Sequence, residues 1–204
     1  MRMRLMSNDP RYAKYKVGQF TYGNPRIEDF GGKATLEIGS FCSFARDVTI
    51  LLSGEHRTDW VTTSPLAELL GDAGGSQNGT KGDVRIGSDV WVGLGATILG
   101  GVAIGHGAVI GAQTVLGGSV PPYAVVAGNP ARFIRWRFDD EEFCITLKRW
   151  PCVGEKLGVG LPKIAERLLA IAWWDWPIEK IREFLPLLLS DRIEEFLDKA
   201  EAAI

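Results

Sequence analysis

The sequence predicts a mainly β fold, a parallel β-helix of triangular cross-section, with one excursion loop and a C-terminal α-helical tail. Three observations support this prediction: a six-residue repeat, a single interruption of that repeat, and a change to helical apolar spacing near the end. From residue 86 onward an aliphatic residue returns at every sixth position. The series is Ile86, Val92, Ile98, Ile104, Ile110 and Leu116.

A period of six is neither the 3.6-residue period of an α-helix nor the two-residue alternation of a strand. It suits a coil in which each unit supplies one short strand and one corner, with the aliphatic side chain pointing inward. A small or β-branched residue follows each aliphatic residue after four positions and should also face inward. These residues are Val90, Ala96, Val102, Ala108, Thr114 and Val120. A β-sandwich with frequent glycine turns is the alternative, and six consecutive units in register argue against it.

Glycine directly follows most of the aliphatic residues, and we expect it to accommodate corner backbone that a side chain would strain. These glycines are Gly87, Gly93, Gly105, Gly111 and Gly117. The same frame occurs earlier at Ile38, Phe44 and Ile50. Successive coils should therefore pair as parallel strands ~4.8 Å apart, with equivalent positions stacked into apolar ladders.

The repeat pauses over residues 55–82, which are polar and rich in glycine in their second half. We interpret this stretch as a loop that leaves the coil at one corner, and such insertions often carry a binding face. Residues 1–137 form the predicted β-helix domain with its N-terminal segment and this loop. Residues 138–204 form the helical extension, which we expect to cover the open end of the coil.

The composition excludes several classes of protein. A formal net charge of −2 gives no basic footprint for nucleic acid or an anionic membrane surface. No apolar run approaches the ~20 residues of a membrane span, and the N-terminus lacks the apolar stretch of a signal peptide, so we expect a cytoplasmic protein. The three cysteines lack paired metal-ligand spacing and are expected to be inert thiols rather than disulfide partners or zinc ligands.

Five segments together resemble a known family. The repeat IGSDVWVGLGATILGGVAIGHGAVIGAQTVL and the following VVAGNPAR are similar to hexapeptide-repeat acyltransferases. GEHRTDW, YKVGQFTYG and WWDWP resemble the xenobiotic acetyltransferase branch, which includes streptogramin A and type-B chloramphenicol acetyltransferases. The resemblance implies a left-handed parallel β-helix that forms a homotrimer, with acetyl-coenzyme A bound in the clefts between neighbouring prisms.

The histidine of GEHRTDW is the candidate catalytic residue. A hydroxyl is a poor nucleophile near neutral pH, and a positioned imidazole can accept its proton during attack. His56 lies where the repeat breaks into the loop, and the resemblance implies that it is the general base of an O-acetyl transfer. We expect direct transfer without an acyl-enzyme, because Cys42 occupies an inward position and no cysteine–histidine pair is evident.

Candidate cofactor-binding residues come from the repeat and from the motif that ends it. Trp91 should face outward, where the resemblance implies a wall for the pantetheine arm. Gly111 and Ala112 would let the cofactor approach the backbone. Guanidinium groups near the GNPAR motif would suit the phosphates of coenzyme A. The candidates there are Asn129, Pro130, Arg132 and Arg135, with Arg137 a weaker one.

The acceptor site is the least defined part of the prediction. Tyr22 matches a position that lines the xenobiotic pocket in the family, and Trp60 could contribute from the loop. Asp59 should fix the geometry of the loop, and His106 should be structural or solvent-facing. Residues 143–162 form a segment that the family lacks, so the acceptor could be an antibiotic, a sugar or another biosynthetic metabolite.

Two other functions are considered for a prism of this kind. A metalloenzyme like the γ-class carbonic anhydrases would need three histidines around zinc, whereas this chain has two, so no metal is expected. A non-catalytic trimeric scaffold is the other, and the presence of GEHRTDW argues against it.

Overall fold

The computed structural model describes residues 4–71, 79–138 and 161–203. Its strands are β1 Lys16–Val17, β2 Arg26–Glu28, β3 Leu36–Ile38, β4 Ser43–Phe44, β5 Thr49–Leu51, β6 Val84–Ile86, β7 Trp91–Val92, β8 Thr97–Ile98, β9 Ala103–Ile104, β10 Val109–Ile110, β11 Val115–Leu116, β12 Ala124–Ala127 and β13 Arg132–Trp136. Its α-helices are α1 Leu66–Leu69, α2 Lys163–Ile171, α3 Ile178–Leu188 and α4 Ile193–Glu201. In the described part of the chain, no helix is both long and apolar enough to cross a bilayer.

The strands form three sheets that the chain visits in a fixed rotation. The first sheet has the order β1-β3-β6-β9, the second β4-β7-β10-β12-β13, and the third β2-β5-β8-β11. Every pairing between these strands is parallel except that of β12 with the terminal β13. The three-sided parallel coil predicted from the repeat is therefore confirmed, whereas its left-handed sense stays a prediction.

The register keeps equivalent positions of successive coils on top of one another. Ile38 pairs with Ile86, which in turn pairs with Ile104, and Val92 pairs with Ile110. These side chains are buried inside the prism, as are the predicted small residues at the corners. Cys42 is one of them, and its burial confirms the inward position expected from the frame.

The glycines after the aliphatic residues have a different role from the one expected. None of them has a positive φ. All except Gly117 lie where the next coil passes so close that a Cβ would not fit. A Cβ on Gly105 would lie 2.3 Å from the backbone nitrogen of Pro122, and one on Gly87 would lie 2.7 Å from that of His106. Left-handed backbone instead occurs three positions after the inward residue. It is found at Phe41, Asp47, Asp89, Gly95, Gly101, Gly107, Gln113 and Tyr123.

The interruption of the repeat is a loop that leaves the corner between the third and first sheets, after β5 and before β6. Its two ends are joined by an antiparallel bridge between Glu55 and Gly79. The Lys81 ammonium adds an ion pair with the Glu55 carboxylate at 3.1 Å. Because the base of the loop is closed in this way, the coil resumes in register at β6.

The helical tail packs along a corner of the prism instead of covering its open end. Trp173 contacts Phe41 at 5.0 Å between ring centroids, and Trp174 stacks on His106 at 4.6 Å. Both contacts lie at the corner between the first and second sheets. For the described part of the tail, residues 161–203, the expectation that it covers the open end is therefore wrong. The core of the prism extends beyond the repeats, to Met6 and Tyr12 before them and to Ala131 and Trp136 after them.

His106 is structural, as expected, although the tail covers it. Its Nδ1 accepts a hydrogen bond from the backbone N–H of Ser88 at 2.9 Å, so Nδ1 of His106 carries no proton in the folded protein. Burial lowers the pKa of His106, an effect that the charge of Asp175 partly offsets. The ring thus links two coils of the prism to Trp174 of the tail while it is neutral.

The close approach of coils at the glycine corners can be tested with a matched pair. Gly105→Ala should lower the free energy of unfolding by about 2 kcal/mol, because the new Cβ meets the backbone of Pro122. Gly117→Ala is the control at the same repeat position, since its Cβ meets only Leu99 Cδ1 at 3.5 Å. Urea denaturation of both variants measures the difference, and equal stabilities would contradict the packing role.

The contact between His106 and the tail should be sensitive to pH. A histidine whose pKa is lowered by folding takes up its proton more readily in the unfolded state, so stability falls as the pH drops below the ordinary value of 6.5. His106→Asn keeps an acceptor for the Ser88 N–H and does not titrate. We expect native protein to lose more unfolding free energy than this variant between about pH 7.5 and about pH 5. Parallel pH profiles in denaturation experiments would refute this.

Candidate active site

His56 lies in the loop immediately after the Glu55 bridge, and its ring is exposed. Its Nδ1 lies 2.6 Å from the backbone carbonyl oxygen of Thr63. A carbonyl can only accept a hydrogen bond, so Nδ1 must donate and Nε2 of the neutral ring carries the free electron pair. The backbone of the loop thus selects the tautomer that a general base requires.

Glu55, the other group considered for orienting the ring, is engaged elsewhere. Its backbone forms the bridge to Gly79, and its carboxylate pairs with Lys81. A backbone carbonyl rather than a carboxylate therefore positions His56. This partner has no sequence signal, because any residue at position 63 would supply the same atom.

Asp59 stabilises the loop locally, as the sequence predicts. Its carboxylate accepts two hydrogen bonds from the Arg57 guanidinium, one of them from Nε at 2.7 Å. These bonds lower the pKa of Asp59 to about 2. The same guanidinium lies over the Trp60 ring, 5.3 Å from its centroid. Asp59 is thus a permanently ionised partner of Arg57 near neutral pH and is unsuited to proton transfer.

The second sheet brings several candidate residues into one row on its outer face. Tyr22 pairs with Ser43, which pairs with Trp91 one coil further on. Trp91 pairs with Val109 and is 57% exposed, which confirms the outward position predicted for it. At a strand spacing of ~4.8 Å, the Tyr22 and Trp91 backbones are about 10 Å apart with the Ser43 hydroxyl between them. Ser43 was not singled out from the sequence; its place in the row follows only from the pairing of coils.

The corner between the second and third sheets carries the remaining backbone candidates. Ala112 is exposed there, next to Gly111. A Cβ on Gly111 would lie 2.8 Å from Cβ of Ala127 in the coil above. The packing of coils alone therefore explains this glycine, and a cofactor is not needed to account for it. Asn129 and Pro130 form the next turn at the same corner, joined by a cis peptide bond.

The arginines after this turn differ in their surroundings. Arg132 and Arg135 both belong to β13 and are exposed, and Arg135 donates to the backbone carbonyl of Trp136 at 2.7 Å. Arg137 instead donates to Asp89 and to the carbonyl of Gly107, each at 2.9 Å. Arg137 is therefore part of the structure of the corner between the first and second sheets, whereas the other two lie beside the second sheet.

The candidate residues occupy two separate parts of the prism. Tyr22, Trp91 and the β13 arginines lie on or beside the second sheet. The loop with His56 and Trp60 leaves the corner between the third and first sheets, which in a triangular section lies opposite the second sheet. One chain alone therefore does not bring its base and its candidate cofactor face together.

The described residues contain no group of three histidine, cysteine or acidic side chains placed to hold a metal ion. Of the segment 143–162 that the sequence singled out, all but the last two residues lie outside the described ranges. Leu161 packs against both the prism core and the tail core, and Pro162 precedes α2.

Comparison with known proteins identifies the family. Residues 83–118 match the model for bacterial transferase hexapeptide repeats. A chloramphenicol acetyltransferase of Escherichia coli is 38% identical, over 93% of this chain and 89% of that protein. The chain belongs to the hexapeptide-repeat xenobiotic acetyltransferases.

Other members of the family are also similar to this acetyltransferase. A chloramphenicol acetyltransferase of Morganella morganii is 35% identical over 93% of this chain and 89% of its own length. A protein named "Probable macrolide acetyltransferase" from Lysinibacillus sphaericus is 37% identical over 80% of this chain and 83% of its own length. Relatives named for two chemically different acceptors thus have almost the same identity to this acetyltransferase, so identity alone does not select its acceptor.

Proposed function

We propose that this acetyltransferase moves the acetyl group of acetyl-coenzyme A to a hydroxyl of a small-molecule acceptor such as an antibiotic, with His56 as general base. The observation that carries the proposal is the hydrogen bond from His56 Nδ1 to the Thr63 carbonyl, because it leaves Nε2 as an exposed proton acceptor. The names of the relatives supply the reaction class, and those names include chloramphenicol and a macrolide.

The reaction is a direct transfer. Nε2 takes the proton of the acceptor hydroxyl as its oxygen attacks the thioester carbonyl; the C–O bond forms, the C–S bond breaks, and the imidazolium returns the proton to the leaving thiolate. Cys42 is unsuited to form an acyl-enzyme, because it lies inside the prism and burial raises the pKa of its thiol to about 12. The attacking hydroxyl therefore belongs to the acceptor.

Acetyl-coenzyme A is proposed to lie along the outer face of the second sheet and its corner with the third. Trp91 offers an exposed aromatic wall for the pantetheine arm. The Gly111 N–H donates to the Val126 carbonyl, so the backbone contact is assigned to the exposed Ala112 beside it. Arg132 and Arg135 on β13, with the Asn129–Pro130 turn, extend this surface toward the phosphates. Tyr22 lies at the other end of the same row and is assigned to the acceptor.

The active site is proposed to form between copies of the chain in a homotrimer. The loop of one copy, with His56 and Trp60, would approach the second sheet of its neighbour, with Tyr22 and Trp91. The separation of these two groups within one chain supports the assignment, because a single prism holds them on opposite sides. In a closed ring of head-to-tail contacts, the loop of each copy would meet the second sheet of the next copy, so that every loop and every sheet would take part in one site.

A sugar or another biosynthetic hydroxyl is the second candidate acceptor. It is supported by a relative named as a putative O-acetyl transferase of lipopolysaccharide biosynthesis, which is 48% identical over a short stretch, 26% of this chain. The antibiotic is preferred because its relatives cover most of the chain, including the loop with His56.

The two histidines give a matched test of the base. His56→Ala should lower the rate of coenzyme A release by ~10²–10⁴-fold while the affinity for acetyl-coenzyme A stays within a few-fold. His106→Asn should keep its turnover, because that ring lies under the tail. A thiol reagent measures the release with chloramphenicol, a streptogramin A, a macrolide and several sugars. Full activity of His56→Ala would exclude the proposed base, and release with sugars alone would select the second acceptor.

Mixing two inactive variants tests whether the site forms between copies. His56→Ala lacks the base, and Trp91→Glu places a carboxylate on the proposed cofactor face. In mixed oligomers roughly a quarter of the sites would pair an intact loop with an intact face, so activity should return to about that fraction of native. Unmixed samples carried through the same unfolding and reassembly provide the control. If the mixture stays inactive although hybrid oligomers form, the site lies within one chain.

A further inference from the structure

A cavity of about 530 Å³ lies between the helical tail and the corner that joins the first and second sheets. Phe41 and Tyr123 line it from the corner, and Trp173, Leu188 and Phe196 line it from the tail. Its volume is within the ~300–1,000 Å³ typical of small-molecule pockets, and aliphatic and aromatic walls are typical of such pockets too.

One wall of this cavity carries an ion pair. Arg137 Nη1 donates to Asp89 Oδ2 at 2.9 Å, and both side chains remain partly exposed, at 30% and 29%. The guanidinium also lies over the rings of Tyr123 and Phe138, at 5.4 and 5.2 Å from their centroids. These contacts hold the donors of Arg137 and the carboxylate of Asp89 side by side. The other polar side chains that line the cavity are Ser190 and Asp191, and Asp191 is exposed to solvent, whereas the remaining lining is apolar or aromatic.

The pair selects the head group of a molecule that could bind there. It is neutral overall, so a charged head would leave one of the two charges unmatched, and a hydrocarbon would satisfy neither group. A carboxamide matches both, because its carbonyl accepts from a guanidinium N–H and its N–H donates to a carboxylate. We propose that this cavity is a binding site for small, neutral, mainly apolar molecules that carry a carboxamide head.

This site is separate from the proposed transfer site. Asp89 precedes Trp91 by two residues and Phe41 precedes Ser43 by two, so the cavity lies around one corner from the outer face of the second sheet. Neither His56 nor Trp91 is among its lining residues. Binding in the cavity should therefore be independent of the chemistry at His56.

Isothermal titration calorimetry of the full chain with three matched probes tests the proposal. The probes are 4-phenylbutanamide, 4-phenylbutanoate and 4-phenylbutylamine, which share an apolar body and differ in the head. We expect the amide to bind with a dissociation constant about tenfold lower than that of either charged probe, a difference worth one good hydrogen bond. An acid or amine that binds as tightly as the amide would contradict the proposed head group.

Substitutions then locate the bound probe. Leu188→Trp fills the cavity and should remove binding of the amide, whereas Leu69→Trp, an exposed position in the loop, should leave it unchanged. Asp89→Asn leaves the charge of Arg137 unmatched, so the acid should now bind more tightly than the amide. His56→Ala should bind the amide as native protein does, even if that variant proves fully active. An unchanged order of probes in folded Asp89→Asn would overturn the proposal.

Discussion

The rest of the structure depends on the close approach of successive coils at the corners of the prism. At Gly105 the next coil passes so near that a single added carbon would meet the Pro122 backbone at 2.3 Å. Coils that approach this closely keep their equivalent residues in register, as in the pairing of Ile86 with Ile104. Because side chains alternate between the two faces of a strand, the same register that stacks the core also stacks the outward residues. The row from Tyr22 through Ser43 to Trp91 is therefore a consequence of how the core packs.

The histidine proposed as general base comes from an interruption of the coil and not from its repeating faces. The loop after β5 provides this, and the bridge between Glu55 and Gly79 closes its base so that the coil continues undisturbed. Within the loop, the Thr63 carbonyl fixes the tautomer of His56, and Asp59 holds Arg57 against Trp60. The proposed proton acceptor thus lies on one side of the prism. The exposed row that is proposed to hold the cofactor lies on the opposite side, and the proposed association between copies would join the two.

The sequence predicts the features that repeat and misses those that depend on a single distant contact. A period of six places Val92 and Ile98 inside, Trp91 outside and Cys42 in the core, and the structure confirms each of these positions. The reason for the corner glycines could not be found this way, because the nearest atoms belong to the coil above. The Thr63 carbonyl also escapes prediction, since backbone atoms carry no sequence signal. The position of the tail was predicted wrongly because the ring pairs that place it join residues far apart in sequence.

The tail shows how a corner of the prism acquires chemistry of its own. At this corner the chain places left-handed residues with large or charged side chains, Phe41, Asp89 and Tyr123, and has glycine in one coil, at Gly107. These side chains project away from the coil and would be exposed without a partner. Trp173 and Trp174 cover part of this surface, and Arg137 neutralises Asp89. The helices, however, span the corner without filling the space above it, which leaves the cavity between them and the ion pair. A corner with glycine at all three positions would have provided neither the docking surface for the tail nor the polar wall of that cavity.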